Sequence, residues 1–426
     1  MVLHGLMAND QEKERAILVS VRWGTTSEEE AEASLQELQS LAETAGALVG
    51  GRVIQTRAKP DAATFVGKGK LEELRSVISA KEADLAIFDQ ELSPSQQRNL
   101  ENELKVKVLD RTALILDIFA LHAHSKEGKA QVEMAQLRYR LTRLTGRGTE
   151  LSRLGGGIGT RGPGETKLEV DRRRINARIK TLDRELIELS RIRRLKRKRR
   201  EKQAIPTFSL VGYTNAGKSS ILNALTGAQV VVENQLFSTL DPTTRRIALP
   251  GNRQAVITDT VGFINHLPHQ LVEAFKSTLE EVREADILLH VVDVSSENPT
   301  GRMEAVEEVL EDIGADDMPA IYVLNKADLL EDEQRREVQK RFPFGLLTST
   351  LTGEGLTALR DKMSSLLESD HLVTLFIPID RGDLLSPIYQ KGHVVSFDQR
   401  DNGYELVATL PPGLLHSYRP YLRKKA

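Results

Sequence analysis

The clearest chemistry in this 426-residue chain lies in glycine, lysine and hydroxyl residues at one fixed spacing. Gly212-Tyr-Thr-Asn-Ala-Gly-Lys-Ser219 has the pattern G-x-x-x-x-G-K-S, preceded by the apolar run Phe208-Ser-Leu-Val211 and followed by helical sequence from Ser220. Glycines at both ends let a backbone curl until successive N–H groups converge on an anion, and a following helix adds its positive end. The expected phosphate-cradling residues are Gly212, Tyr213, Thr214, Asn215, Ala216, Gly217, Lys218, Ser219 and Ser220. Lys218 is expected on the β and γ phosphates and Ser219 on Mg2+.

A phosphate loop does not choose its base. Asn325-Lys-Ala-Asp328, after the apolar run at 320–324, does. The Asp328 carboxylate can accept from guanine N1–H and from its 2-amino group, and adenine offers neither donor on that edge. Asn325 is expected at N7 and against the phosphate loop. The Lys326 stem is expected over the base, with Ala327 between. Ser349 and Thr350 follow the last apolar strand, where their backbone N–H groups can reach the guanine carbonyl. Asp259, Thr260, Val261 and Gly262 follow another apolar run. There the aspartate suits a water-mediated Mg2+ contact, and the glycine N–H suits the γ phosphate. Phe237, Ser238, Thr239, Leu240 and Asp241 lie in the segment that should switch with nucleotide state. Thr239 is favoured over Thr243 and Thr244 as its Mg2+ ligand. Lys218, Thr239 and Gly262 are the expected catalytic set. Asn215 either helps hold K+ beside the phosphates or braces the first switch. His266 and His269 have no third ligand nearby in sequence and read as loop histidines.

These residues need a parallel sheet whose strands end at one edge, and residues 204–368 alternate strand and helix as such a sheet requires. Residues 16–110 alternate likewise. Strands are predicted at 16–21, 49–56, 84–88 and 105–109, with helices over 27–44, 70–79 and 94–104; Ser27 and Glu30 have capping-box spacing. Ala130, Met134, Leu137, Leu141 and Leu144 form one helical stripe, and Ile175, Ile179, Leu182, Leu186 and Leu189 another. A glycine-rich segment, 155–164, separates them, so two antiparallel helices joined by a long loop are predicted. Residues 172–202 hold fifteen Lys or Arg against four Asp or Glu, a surface suited to nucleic-acid phosphates on a chain of net charge −2. The end of the chain reads as a strand at 372–379, a helix at 382–390 and a hairpin about Asp401-Asn-Gly403.

The expected fold is therefore α/β. An N-terminal α/β domain (1–111) and a helical hairpin (112–203) precede a P-loop GTPase domain (204–368), and a small α+β domain (369–426) closes the chain. With no cysteine, disulfides, cysteine zinc sites and thiol catalysis are excluded. No secretory signal or bilayer-length apolar run is present, so a cytoplasmic protein without an integral membrane segment is expected, and separately a monomer.

Together these segments resemble the translation-factor-related GTPases and, within them, the HflX family. The resemblance rests on Asp259-Thr-Val-Gly-Phe-Ile264, Thr239-Leu-Asp-Pro-Thr-Thr-Arg245, Gly67-Lys-Gly-Lys70 and the glycine-rich loop ending Gly162-Pro-Gly-Glu-Thr-Lys167. It implies GTP hydrolysis and binding to the large (50S) ribosomal subunit, with the hairpin loop reaching ribosomal RNA. It also implies splitting or rescue of ribosomes under stress. A ribosome-assembly GTPase, or an RNA-remodelling protein regulated by its GTPase domain, are the alternatives. The family resemblance raises ATP binding by the N-terminal half, but nothing in residues 1–201 resembles a phosphate loop. Many small GTPases carry a water-orienting Gln after the switch glycine. Here Phe263 stands there, which predicts slow intrinsic hydrolysis and activation by a partner.

Overall fold

The computed structural model describes residues 13–24, 26–144, 167–202, 205–227, 236–251, 253–265, 279–368, 371–410, 414–415 and 418–423. The glycine-rich loop, His266 and His269 lie outside them. The chain divides into two compact units, Met1–Leu186 and Ile187–Ala426.

The first unit is built on four parallel strands, β1 (Arg15–Arg22), β2 (Leu48–Thr56), β3 (Leu85–Phe88) and β4 (Lys107–Asp110), in the order β2-β1-β3-β4. Helices α1 (Glu28–Thr44), α2 (Lys68–Lys81) and α3 (Pro94–Leu104) connect them. Ser27 and Glu30 make the expected reciprocal cap on α1, and Ser93 and Gln96 make another on α3, where Pro94 occupies a first-turn position that needs no N–H. Ile17, Val19, Leu74, Ala86 and Phe88 lie in a continuous core between sheet and helices. Helix α4 (Arg111–His122) is mainly apolar and is buried from Arg111 through Leu116. Helices α5 (Lys126–Leu144) and α6 (Lys167–Lys202) follow. Ala130 and Met134 of α5 pack on Leu182 of α6, flanked by Leu137, Ile179 and Leu186, so the two predicted stripes meet over these six residues. Burial contributes about 1.5–3 kcal/mol for each of the larger of these side chains, and Arg178 adds a forked pair to Glu133 at 2.7 and 2.8 Å.

The second unit carries six strands in the order β10-β9-β8-β5-β7-β6. They are β5 (Thr207–Gly212), β6 (Thr243–Leu249), β7 (Arg253–Asp259), β8 (Ile287–Asp293), β9 (Ala320–Asn325) and β10 (Leu346–Leu347). All pair in parallel except β6, which runs antiparallel to β7 at the edge. That strand is absent from the sequence reading. Its exposed Arg245 and Arg246 obscure an alternation in which only Ile247 and Leu249 are buried. Helices α7 (Lys218–Thr226), α8 (Pro299–Asp312), α9 (Asp332–Arg341) and α10 (Leu356–Glu368) accompany the sheet. Phe208, Leu210, Ile221, Leu222, Leu289 and Val323 are central to its core.

A three-stranded antiparallel sheet ends the chain, with β11 (His371–Pro378), β12 (His393–Arg400) and β13 (Gly403–Leu410) in the order β11-β13-β12. The hairpin turns at Asp401-Asn402, as the Asn-Gly signal predicts. The single helix predicted at 382–390 is instead a 3-10 turn, Ile379–Leu384, followed by α11 (Leu385–Lys391). Pro387 explains the break, because it lacks an N–H and is tolerated only in the first turn of an α-helix.

Candidate nucleotide-binding site

Strand β5 lies between β7 and β8, and its carboxyl end turns directly into the phosphate-loop sequence. Gly212 has φ 153°, and a Cβ there would stand 2.3 Å from the Val291 carbonyl oxygen of β8. Gly217, at φ 92°, opens α7, and a Cβ there would stand 2.3 Å from Asn325 Nδ2. Both glycines are thus required by backbone conformation and by close approach. Asn215 also holds a positive φ of 59°, which asparagine tolerates better than most residues. Lys218 is buried, and its Nζ donates to the carbonyls of Gly212 (3.0 Å) and Tyr213 (2.8 Å). Burial lowers its pKa to about 8, against the pull of the Asp259 carboxylate.

Three oxygen-bearing side chains meet beside this lysine. Ser219 Oγ donates to Asp259 Oδ2 at 2.6 Å and lies 2.8 Å from Thr239 Oγ1. Burial pushes the Asp259 carboxyl up, while Lys218 and the two hydroxyls pull it down. Its second oxygen, Oδ1, is buried without a hydrogen-bond partner. A buried orphan carboxylate oxygen beside two hydroxyls is a donor set suited to a hard cation such as Mg2+. Thr243 and Thr244 lie in β6, where Thr244 Oγ1 meets Thr258 Oγ1 at 3.2 Å. Among the described residues no group of three or more His, Asp or Glu could hold a metal.

One cleft is lined by Thr214, Asn215, Gly217, Lys218, Ser219, Ser220, Phe237, Ser238, Thr239, Thr260 and Gly262. The other expected phosphate-side residues are placed differently. Ala216, Leu240 and Val261 are buried, and Asp241 lies outside the cleft lining. Thr260 Oγ1 donates to the Leu210 carbonyl at 2.6 Å, tying the second switch, which begins at Asp259, to β5. Phe263 is buried at 2% exposure, so the residue after Gly262 presents no polar group to the cleft.

The base-recognition residues stand at the carboxyl end of β9. Asn325 Nδ2 donates to the Ala216 carbonyl at 2.9 Å, bracing the phosphate loop. Lys326 takes a positive φ of 64°, and its Nζ donates to Asp293 Oδ2 at 2.8 Å. Ala327 N donates to the Thr348 carbonyl at 3.1 Å. Ser349 Oγ donates to Asp328 Oδ1 and accepts from the N–H groups of Leu351 (3.2 Å) and Thr352 (3.1 Å). Thr350, next to this buried serine, is half-buried. Sequence reasoning misses Asp293, which anchors Lys326 and is itself held by Ser295 N and Oγ at 3.0 and 2.6 Å. It ends β8 opposite Asn325 at the end of β9, so the carboxyl-edge rule for ligand sites could have found it. Arg335, also missed, donates to the Ala327 carbonyl at 2.7 Å from α9.

A parallel sheet that feeds a glycine-lysine-serine loop, a carboxylate and hydroxyl corner and a guanine-type strand end defines a P-loop GTPase. Residues 32–120 match the family described as GTP-binding GTPase N-terminal, residues 122–200 the GTP-binding GTPase middle region, and residues 207–326 the 50S ribosome-binding GTPase. The chain is 50% identical over 402 residues to the GTPase HflX of Caldanaerobacter subterraneus subsp. tengcongensis, covering 93% of this chain and 91% of that one. It is 44% identical over 380 residues to the GTPase HflX of Escherichia coli, covering 88% of each. A GTP-binding protein of Sulfolobus solfataricus, solved in complex with GDP, is 28% identical with a TM-score of 0.42, covering 83% of this chain and 98% of that one. The chain belongs to the HflX family of GTPases and is an enzyme that hydrolyses GTP. Among the described residues no helix is long and apolar enough to cross a membrane.

Proposed function

We propose that this GTPase binds the large ribosomal subunit and uses GTP to split or rescue ribosomes under stress, acting as a monomer in the cytoplasm. The ribosomal role rests on the 50S ribosome-binding description of residues 207–326, and the observation that carries the GTP chemistry is the corner in which Ser219, Thr239 and Asp259 converge while Asp259 Oδ1 stays unpartnered. In this reading the Ser219 and Thr239 hydroxyls, and Asp259 through water, hold Mg2+, which neutralises phosphate charge when bound. Lys218 moves its ammonium from the loop carbonyls to the β and γ phosphates. The loop N–H groups from Asn215 to Ser219 cradle the same oxygens, and the Gly262 N–H faces the γ phosphate. At the other end Asp328 accepts from the guanine N1–H and 2-amino group. Asn325 reaches N7, Lys326 covers the base from its anchor on Asp293, and the Ser349 and Thr350 N–H groups meet the carbonyl.

Positioning and charge stabilisation carry most of phosphoryl transfer to water. A buried Phe263 supports slow turnover by the chain alone, with a partner completing the site. The 50S ribosome-binding description of residues 207–326 and the fifteen basic residues of 172–202 support ribosomal RNA as that partner. Steady-state GTP hydrolysis with and without purified large subunits, at low and moderate salt, tests this. Stimulation of at least tenfold that disappears when residues 155–164 are deleted is the expected result. No stimulation removes the ribosomal role and leaves only the GTP chemistry. Asn215 lines the same cleft, and rates compared in K+ and Na+ distinguish a cation ligand from a brace for the first switch.

A further inference from the structure

The start of the second switch is zipped onto the phosphate loop. Phe263 N donates to the Gly212 carbonyl at 3.1 Å and Thr214 N donates to the Phe263 carbonyl at 2.7 Å, forming one parallel bridge between Tyr213 and Phe263. In a parallel ladder the next rung would run from Asn265 N to the Thr214 carbonyl. Past Thr214 the loop curls away, with Ala216 N turning back to the Tyr213 carbonyl at 3.3 Å. The rung is made instead by a side chain, because Asn265 N donates to the Tyr213 phenol oxygen at 2.7 Å. That phenol is well held. Tyr213 is 5% exposed, and the Arg302 guanidinium of α8 lies 5.2 Å from its ring centroid. The segment it clips is equally fixed, with Phe263 and Ile264 both buried. Gly262, just before them, abuts the loop. A Cβ there would stand 2.9 Å from Thr214 Cα and 3.0 Å from Lys218 Nζ.

We infer that the Tyr213 hydroxyl is a positioning residue for GTP hydrolysis. It sets the register of the second switch on the phosphate loop, so that Gly262 stays where its N–H can meet the γ phosphate. The G-x-x-x-x-G-K-S pattern leaves this position open, yet here it supplies the rung that the curling backbone cannot. The inference rests on the reading that Gly262 faces the γ phosphate. Loss of the clip therefore affects the γ-phosphate state and spares GDP, whose binding needs only the loop, α7 and the guanine motif.

The test uses full-length Tyr213→Phe, which keeps the ring and its packing, beside Gly262→Ala as a control for the underlying reading. Intrinsic kcat for GTP is expected to fall about 5- to 30-fold in Tyr213→Phe. Preference for a non-hydrolysable GTP analogue over GDP should fall by a similar factor, with GDP affinity unchanged within about twofold. An unchanged or raised kcat overturns the inference. So does an equal loss of GDP affinity, which marks a merely structural tyrosine. If Gly262→Ala also leaves the analogue-to-GDP preference intact, the γ-phosphate reading of Gly262 fails with it. If Gly262→Ala alone shifts that preference, the clip fails and the reading stands.

Discussion

Two largely parallel sheets in this chain place aspartates at their carboxyl edges, and among the described residues only the second leaves one of them, Asp259, with a buried oxygen unpartnered. In the first unit Asp89 receives Arg111 Nη1 at 2.7 Å and Ser34 Oγ at 2.7 Å, and Arg111 also pairs with Glu37. Asp110 receives Arg143 Nη2 at 2.6 Å, the Tyr139 hydroxyl at 2.7 Å, Ala113 N at 2.9 Å and Leu92 N at 3.2 Å. Burial beside this carboxylate pushes the Tyr139 phenol well up, so it stays a donor. These acids are consumed in fastening α1, α4 and α5 to the sheet. In the second unit Asp259 receives Ser219 on one oxygen and keeps the other bare. Both sheets offer the strand-end crevice where α/β proteins bind ligands. Only the edge whose lone pairs the protein leaves unspent is equipped to hold one, so topology nominates a site and hydrogen-bond saturation decides it.

The largest effect is expected where the spent edge is broken. Arg111→Met leaves the buried Asp89 and the half-buried Glu37 without their cation. Removing one member of a buried ion pair typically destabilises by about 3–5 kcal/mol. Urea denaturation followed by a probe in residues 13–144 should show a loss of that size, with GDP affinity retained below the transition. A loss under about 1 kcal/mol would mean that the cluster is solvated and that the two edges do not differ as described.

At the unspent edge the same class of change should move activity and not stability. Asp259→Asn removes a carboxylate whose charged form burial already disfavours. GTP hydrolysis should fall on the order of 10²–10³-fold, the scale for losing one preorganised electrostatic contact. The denaturation midpoint should hold or rise. A stability loss like that of Arg111→Met would show Asp259 to be a structural anion and sink the contrast.

The unequal legibility of these features follows from sequence distance. The phosphate loop, the Asp259–Gly262 segment and the Asn325–Asp328 segment are contiguous strings, so their spacing alone announces phosphate and guanine chemistry. The α/β class is equally open, because Ser27 and Glu30 cap α1 locally and the runs of β5 and β8 are mostly apolar, broken only by Ser209 and His290. Residues that act across the fold were not readable. Arg111 meets Glu37 from 74 positions away, Asp293 meets Lys326 from 33, and Tyr213 meets Asn265 from 52. No periodicity encodes such pairs. Strand β6 was hidden for a different reason: an edge strand buries only alternate residues, and two arginines occupy its middle.

A fourth aspartate, Asp117 on α4, lies between the two extremes and gives the smallest expected effect. Burial raises its pKa to about 6, with Lys107 and Arg140 pulling down and Glu14 pushing up. Its partners therefore act at a distance and do not compensate its desolvation. Because the folded pKa lies above the unfolded value, the folded chain holds the extra proton between about pH 4 and pH 6. Stability is greatest below the lower of these values and is lost as pH rises through the upper one. The two-unit shift corresponds to about 2–3 kcal/mol at neutral pH. Asp117→Asn should flatten this dependence and raise stability at pH 7 by about 2 kcal/mol, with little change at pH 4. Urea midpoints of both proteins at the two pH values measure it. A wild-type curve already flat over that range would mean that water or a neighbour satisfies the carboxyl, and Asp117 would then join Asp89 and Asp110 among the spent acids.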